Sequence, residues 1–102
     1  MEKENNIQTA ILDYLSLKKY FFWRQNNFTI FDGKNFRKLP KYALKGIPDI
    51  IIIKDGKFIG LEIKTKIGTL SEGQKEFMIG CEKAGGQYYI VKSIDDVIKL
   101  NL

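Results

Sequence analysis

The feature that most constrains this chain is a short turn between two apolar runs. Asp55 and Gly56 lie at the centre of the stretch 46–64. An Asp-Gly pair in this setting is typical of a two-residue type I′ β-hairpin, because both central residues need a positive φ. A two-residue turn also fixes the register of its strands. It therefore predicts that Asp49 lies directly opposite Glu62.

This register places charged side chains on one face of the hairpin. Strand side chains alternate between faces, so Asp49, Glu62 and Lys64 point the same way. Like charges directly opposite each other destabilise a sheet. The pair therefore indicates a bound cation, although a lysine that merely neutralises the two acids is an alternative. Gly60 predicts open space on this face beside Glu62.

The residue types that are missing limit the chemistry. The chain has no histidine and a single cysteine, Cys81. Histidine-based catalysis and zinc sites that use imidazole are therefore excluded, as is an intramolecular disulfide. A metal ion would need oxygen ligands, which favours Mg²⁺ or Mn²⁺. Cys81 lies in the apolar stripe of a predicted helix, and we expect it to be a small buried side chain.

A basic segment precedes the hairpin. The net charge of +5 suggests an anionic partner. Within residues 34–45 the cations occur without a single acid; they are Lys34, Arg37, Lys38, Lys41 and Lys45. Because this run leads directly into the acidic hairpin, we interpret it as a set of contacts to a nucleic-acid phosphate backbone. The alternative is a solvated basic loop.

The remaining segments are assigned from the periodicity of their apolar residues. They are a helix over 4–18, a strand over 20–25, a helix from Ser71 to about Ala84, a strand over 87–91 and a short final helix after Ser93. A second Asp-Gly pair, at 32–33, predicts a small hairpin within 28–37. Both faces of the main hairpin are apolar, which predicts helices on both sides of a mixed sheet.

Two polar side chains outside the hairpin are candidates for the same site. Glu4 lies at the start of the apolar stripe of the first helix, where it either complements the helix dipole or leans towards the metal. Gln74 follows Ser71 by three residues and completes a capping box. Because it also precedes Phe77 by three residues, it either only caps the helix or faces inward as well.

The hairpin contains the groups that phosphodiester hydrolysis requires. A cation must neutralise charge in the transition state and lower the pKa of the attacking water. Asp49 and Glu62 supply carboxylates for it, and Ile63 offers a backbone carbonyl. Lys64 is suitably placed to orient or deprotonate the water and to stabilise developing charge.

These residues also resemble a known family. Pro48-Asp49 followed by Glu62-Ile63-Lys64 resembles the PD-(D/E)xK nuclease signature. A wider set of residues, which extends over essentially the whole chain, resembles a stand-alone, phage-type VRR-NUC domain. That set is Glu4, Ile7 and Gln8, then Gly46 to Asp49, Glu62 to Thr65, Gly68 to Ser71 with Gln74, and Ala84 to Gly86.

The resemblance implies an α/β fold with a restriction-endonuclease-like αβββαβ core, a mixed central sheet flanked by helices. Residues 1–102 would then form a single VRR-NUC nuclease domain. Asp49 and Glu62 would bind Mg²⁺ or Mn²⁺, with Glu4 as an additional acidic ligand. Lys64 would be the catalytic lysine and Gln74 an accessory residue of the site.

The resemblance also implies a DNA endonuclease that acts as a homodimer on Holliday junctions or other branched DNA, because one domain has one site. A nuclease-fold module that binds nucleic acid without cleaving it and an RNA endonuclease are the alternatives. The polar N-terminus is unlike a signal peptide. We expect a cytoplasmic protein, in the host cell if it is phage-encoded, with no organic cofactor and no membrane association.

Overall fold

The computed structural model describes residues 3–25 and 40–102. Its elements are α1 (Glu4–Leu17), β1 (Phe21–Arg24), β2 (Ile50–Lys54), β3 (Lys57–Ile63), α2 (Glu72–Lys83), β4 (Gln87–Val91) and α3 (Ile94–Lys99). The predicted order of helices and strands is confirmed. The small hairpin predicted within 28–37 lies outside the described residues. Over the described ranges, no helix is long and apolar enough to cross a membrane.

The four strands form one mixed sheet in the order β1-β2-β3-β4. β2 pairs antiparallel with both β1 and β3, whereas β4 pairs parallel with β3. A parallel neighbour requires a crossover connection, and α2 provides it between β3 and β4. The mixed sheet flanked by helices is the fold class that the sequence predicts.

The turn between β2 and β3 has the predicted geometry. Asp55 has a φ of 52° and Gly56 a φ of 77°, as a type I′ turn requires. Ile53 is paired with Phe58 and Ile50 with Leu61, so the predicted register is confirmed for the pairs from Ile50 to Lys54. Asp49 lies one residue before β2 and therefore at the end of the hairpin opposite the turn.

One face of the sheet forms the hydrophobic core. α1 contributes the stripe Ile7, Ile11 and Leu15, spaced for one side of a helix. These side chains pack with residues of the sheet and with Val97 of α3. The sheet residues in this cluster are Ile50, Ile52, Ile59, Leu61, Ile63 and Val91. Each fully buried aliphatic side chain of this size stabilises the fold by about 1.5–3 kcal/mol.

The other face is covered less completely. α2 packs against β4 at one side of the sheet, and none of its residues is fully buried. Phe77 contacts the rings of Phe58 and Tyr88, with centroids 6.3 and 6.1 Å apart. Cys81 is only partly buried, so the expectation of a buried thiol is wrong. The reason is that a helix resting on one side of a sheet buries only part of its apolar stripe.

Candidate active site

An open pocket of about 360 Å³ lies where the hairpin ends. The beginnings of α1 and α2, the segment before β2 and the end of β3 all contribute to its wall. The lining residues are Glu4, Asn5, Gln8, Gly46, Ile47, Asp49, Glu62, Ile63, Lys64, Ser71 and Gln74. The pocket thus brings together every residue that the sequence proposes for catalysis or metal binding.

Glu62 is the buried acid of this pocket, with 3% of its surface exposed. Gln74 Nε2 donates a hydrogen bond to Glu62 Oε2 at 3.1 Å, and the Tyr88 hydroxyl lies 3.5 Å from Oε1. Burial, and after it the charge of Asp49 and a hydrogen bond with it, raise the pKa of Glu62 from 4.5 to about 8, although the nearby charge of Lys64 acts in the opposite direction. At neutral pH the Glu62 carboxyl therefore holds its proton unless a cation beside it favours the charged form.

Asp49 is held in place by the backbone of its neighbours. Its Oδ2 accepts a hydrogen bond from the Ile63 N–H at 2.9 Å. Its carbonyl oxygen accepts one from the Gln25 N–H at 2.8 Å, which extends the β1–β2 pairing by one step. An ionised carboxylate has about four acceptor positions, so Asp49 keeps capacity to bind a cation while its orientation is fixed.

The donor groups fit a hard divalent cation. Mg²⁺ is commonly held by one or two carboxylates, with water and substrate phosphate oxygens as further ligands. Asp49 and Glu62 supply such a pair. Within the parts of the chain that the structure describes, no three Asp, Glu, His or Cys side chains form a metal-binding cluster.

Gln74 performs both of the functions that its position suggests. Its side-chain oxygen accepts a hydrogen bond from the Ser71 N–H at 2.9 Å, and its own N–H donates to Ser71 Oγ at 3.2 Å. The predicted capping box is therefore confirmed. Because the amide nitrogen of the same side chain reaches Glu62, the cap also fixes the start of α2 relative to the buried acid.

A close backbone approach brings the start of α2 to the pocket. Gly46 has a φ of 73° and lies directly against the backbone of Gly73, in the first turn of α2. A side chain at position 46 would overlap that backbone, so only glycine fits. The segment that carries Asp49 and the helix that carries Gln74 are thereby held together.

Lys64 and Glu4 lie on the walls of the pocket. Lys64 Nζ is 4.0 Å from Glu62 Oε2, at the limit of an ion pair, and its side chain is 15% exposed. Glu4 is exposed at the first helical residue of α1. Its charge makes a small contribution to the raised pKa of Glu62. This position is compatible both with a helix-dipole role and with an outer contact to a metal ion.

The structure adds one buried residue that sequence reasoning missed. Tyr88 of β4 is paired with Gly60 and so lies on the face that carries Glu62. Burial, followed by the charge of Glu62, raises the pKa of its hydroxyl, so Tyr88 remains a neutral donor. The sequence offers no direct signal for it, because no local turn sets the register of a parallel strand.

The expectation of open space at Gly60 is wrong. A Cβ at this position would lie 2.5 Å from Pro48 Cγ, so the proline ring occupies the space. Gly60 is required for close packing of Pro48, which immediately precedes Asp49. The glycine therefore supports the position of the acid rather than providing room for a ligand.

The basic segment is described only in part. Lys41 and Lys45 are exposed on the segment that leads to the pocket. Lys41 Nζ lies 5.2 Å from the centroid of the Tyr42 ring, and Lys45 Cβ lies close to Gly73. Lys34, Arg37 and Lys38 fall outside the described residues. Contact with a phosphate backbone remains a prediction for all five cations.

Comparisons with known proteins bear on the fold. No protein-family model matches the sequence, and no curated protein matches it. A solved structure described as "VRR_NUC domain" is similar with a TM-score of 0.70 at 18% identity, over 99% of this chain and 96% of the other. A second, described as "VRR_NUC domain protein", has a TM-score of 0.65 at 21% identity, over 98% and 85%.

At these identities the likeness concerns the fold. Its extent over nearly the whole chain confirms the restriction-endonuclease-like architecture that the sequence motifs imply, and the resemblance to VRR-NUC domains holds at that level. The chain shares the fold of these two VRR_NUC domain structures. A fold by itself does not determine function, which depends on the residues of the pocket.

Proposed function

We propose that this protein is a metal-dependent endonuclease that hydrolyses phosphodiester bonds in DNA. One observation carries the proposal: a buried carboxyl with a raised pKa, Glu62, lies against the carboxyl of Asp49 in an open pocket. Such a pair is unfavourable in the protein alone. A divalent cation between the two carboxyls would remove the unfavourable term, and the open pocket gives such an ion a path to them.

The residues of the pocket take distinct roles in this proposal. Asp49 and Glu62, with the carbonyl of Ile63 and Glu4 as further ligands, would hold Mg²⁺ or Mn²⁺. When bound, such an ion supplies stabilisation of the negative charge that develops on the phosphoryl group. Gln74 fixes the orientation of Glu62 through its 3.1 Å hydrogen bond.

Lys64 supplies the positive charge on the protein side. Its ammonium group lies within 4.0 Å of Glu62 and remains partly exposed in the pocket. From there it would orient the attacking water and stabilise the oxygens of the phosphoryl group as the P–O bond to the leaving group breaks.

The substrate and the assembly follow from charge and from the number of sites. The cations Lys34, Arg37, Lys38, Lys41 and Lys45 would contact the phosphate backbone on the approach to the pocket. Paired cuts in branched DNA, such as a Holliday junction, need two pockets, and we propose that a homodimer provides them. The proposed site of action is the cytoplasm, that of the host cell if the protein is phage-encoded.

The test is a cleavage assay on blunt duplex, flap and four-way-junction DNA and on matched RNA, with Mg²⁺ or Mn²⁺. We expect Asp49→Asn and Glu62→Gln to lose at least about a thousandfold in rate, and Lys64→Ala about a hundredfold or more. Asp95→Asn, an exposed acid in the first turn of α3, is the matched control and should cut as the wild type does.

Each contrary outcome has a definite meaning. If folded Asp49→Asn, Glu62→Gln and Lys64→Ala proteins cut at the wild-type rate, the assigned site is wrong. If the wild type binds DNA but cleaves nothing with either metal, the protein is a binding module. If it cleaves RNA and leaves DNA intact, it is an RNA endonuclease that uses the same chemistry.

A further inference from the structure

The most exposed aromatic side chains of the sheet form a pair on β1. Phe21 is 69% exposed and Trp23 is 41% exposed. Their ring centroids are 6.2 Å apart in an edge-on arrangement. Phe22, between them in sequence, packs against the core on the opposite face. Among the three aromatic side chains of β1, the two exposed ones therefore share one face, since alternate residues point to opposite sides.

This pair lies on the sheet face that carries the acidic pocket. Trp23 is paired with Ile51, and Asp49 precedes Ile51 by two residues, so the side chains of Trp23 and Asp49 point to the same side. Strands lie about 4.8 Å apart and rise about 3.3 Å per residue. Trp23 Cα is then about 8 Å from Asp49 Cα, roughly two base-pair rises of 3.4 Å.

The chemistry of the pair suits nucleic-acid bases. Aromatic rings stack on the π-face of any base, independent of sequence. The indole N–H of Trp23 donates to Gln25 Oε1 at 3.0 Å, so the polar edge of the ring is satisfied while 41% of the side chain remains exposed. The two strands between the rings and the pocket, β1 and β2, contain no acidic residue.

The geometry selects unpaired bases. Within a duplex each base is already stacked between its neighbours, and a protein ring reaches its π-face only if the base is unpaired or flipped out. The covering helix α2 packs against β4, at the far side of the sheet from β1. Among the described residues, no helix covers the exposed rings of Phe21 and Trp23, so a strand that enters the pocket has this aromatic surface beside it.

We propose that Phe21 and Trp23 form a stacking platform for unpaired DNA bases next to the catalytic pocket. The inference rests on the proposed function and specifies its substrate class: DNA in which an unpaired segment adjoins the cleaved bond. It accounts for selectivity towards flaps and open junctions over continuous duplex without any contact that depends on base sequence.

Fluorescence gives a direct test, because Trp23 is the single tryptophan of the chain. Metal-free protein is titrated with a duplex that carries a short single-stranded flap, with the same DNA in which the flap has abasic sites, and with blunt duplex. We expect strong quenching by the flap with bases and little quenching by the other two. Equal quenching by the flap with bases and the abasic flap would overturn the proposal.

Variants separate stacking from general binding. Trp23→Ala and Phe21→Ala should weaken binding to the flap by about tenfold or more and leave binding to blunt duplex within about twofold. Trp23→Phe keeps a ring and should retain most of the affinity, which controls for misfolding. Leu17→Ala is the matched control, because Leu17 is an apolar residue of α1 with 79% exposure.

The outcomes for this inference and for the proposed function are distinguishable. Cleavage by the wild type with no base-dependent quenching would reject the platform and leave the nuclease intact. Base-dependent quenching without cleavage would support the stacking platform and reject the nuclease activity. If Trp23→Ala binds flaps normally but turns a dimer into a monomer in sedimentation, the pair is a contact between two copies of this chain and the platform is rejected.

Discussion

The two faces of the sheet are built from the same strands and differ in what they contain. The face beneath α1 and α3 is aliphatic and closed, with Ile11, Ile52 and Leu61 fully buried. The opposite face has an incompletely buried helix, exposed aromatic rings and the buried acid Glu62. The first face provides stability, and the second carries the unfavourable charge arrangement that the proposed chemistry uses.

A single strand, β3, contributes both to the stable core and to the pocket. In β3, Leu61 and Ile63 belong to the core while Glu62 between them lines the pocket. Because neighbouring side chains point to opposite faces, the close packing of Leu61 and Ile63 in the core fixes the backbone position of Glu62 between them. The burial free energy on one face thereby offsets the cost of holding a carboxyl away from water on the other.

The largest expected difference between the faces concerns stability. Ile52 is buried in the core, whereas the adjacent Ile53 is half-buried on the other face. We expect Ile52→Ala to lower the free energy of unfolding by about 2–5 kcal/mol and Ile53→Ala by less than half as much. Urea denaturation measures both. Equal losses would show that the open face is packed as firmly as the core.

A second prediction concerns the unfavourable charge on the open face. The pKa of Glu62 is about 8 in the folded protein against 4.5 ordinarily, so between these values the folded state holds a proton that the unfolded state releases. Without metal, the stability should therefore fall as the pH rises through that window, by up to about 1.4 kcal/mol per pH unit. Glu62→Gln should remove this slope.

Denaturation of both proteins from pH 4.5 to 9 in the presence of a chelator measures the effect. At pH 8 the Gln variant should be the more stable protein, by on the order of 3 kcal/mol. Asp95→Asn, on exposed α3, should keep the wild-type slope. A wild-type stability that rises with pH across this window would contradict the burial of a protonated Glu62.

The smallest expected effect comes from Tyr88, whose side chain lies on the face of the sheet that carries Glu62. Tyr88→Phe removes only the hydroxyl that lies 3.5 Å from Glu62 Oε1. The predicted loss of stability is about 0.5–1.5 kcal/mol. If Tyr88 positions the acid, kcat should fall severalfold with KM unchanged. Tyr89→Phe, which alters the neighbouring tyrosine on the other face of the sheet, is the control. An equal loss of kcat in both variants would show that Tyr88 does not position Glu62.

Much of the fold follows from local signals in the sequence. The Asp55-Gly56 turn fixes the register of β2 and β3, and the capping box of Ser71 and Gln74 fixes the start of α2. Both involve residues that are close in sequence, so their geometry depends on local backbone preferences. For this reason the grouping of Asp49, Glu62 and Lys64 at one end of the hairpin is predictable without a structure.

Other features depend on contacts between distant segments. The place of Tyr88 beside Glu62 depends on the parallel pairing of β4, which a crossover helix sets rather than a turn. Similarly, Pro48 fills the space at Gly60, and α2 leaves Cys81 partly exposed because it rests on one side of the sheet. No local pattern encodes these approaches, because they arise when whole elements pack together.

The sequence by itself therefore determined the hairpin, its register and the set of charged residues at its end. Only the tertiary structure decided that Glu62 is buried, that Gln74 and Tyr88 both contact it, and that Phe21 and Trp23 are exposed on the same face. The physical reason is the range of the interactions. Turns and caps act over a few residues, whereas burial and exposure depend on which elements cover each face of the sheet.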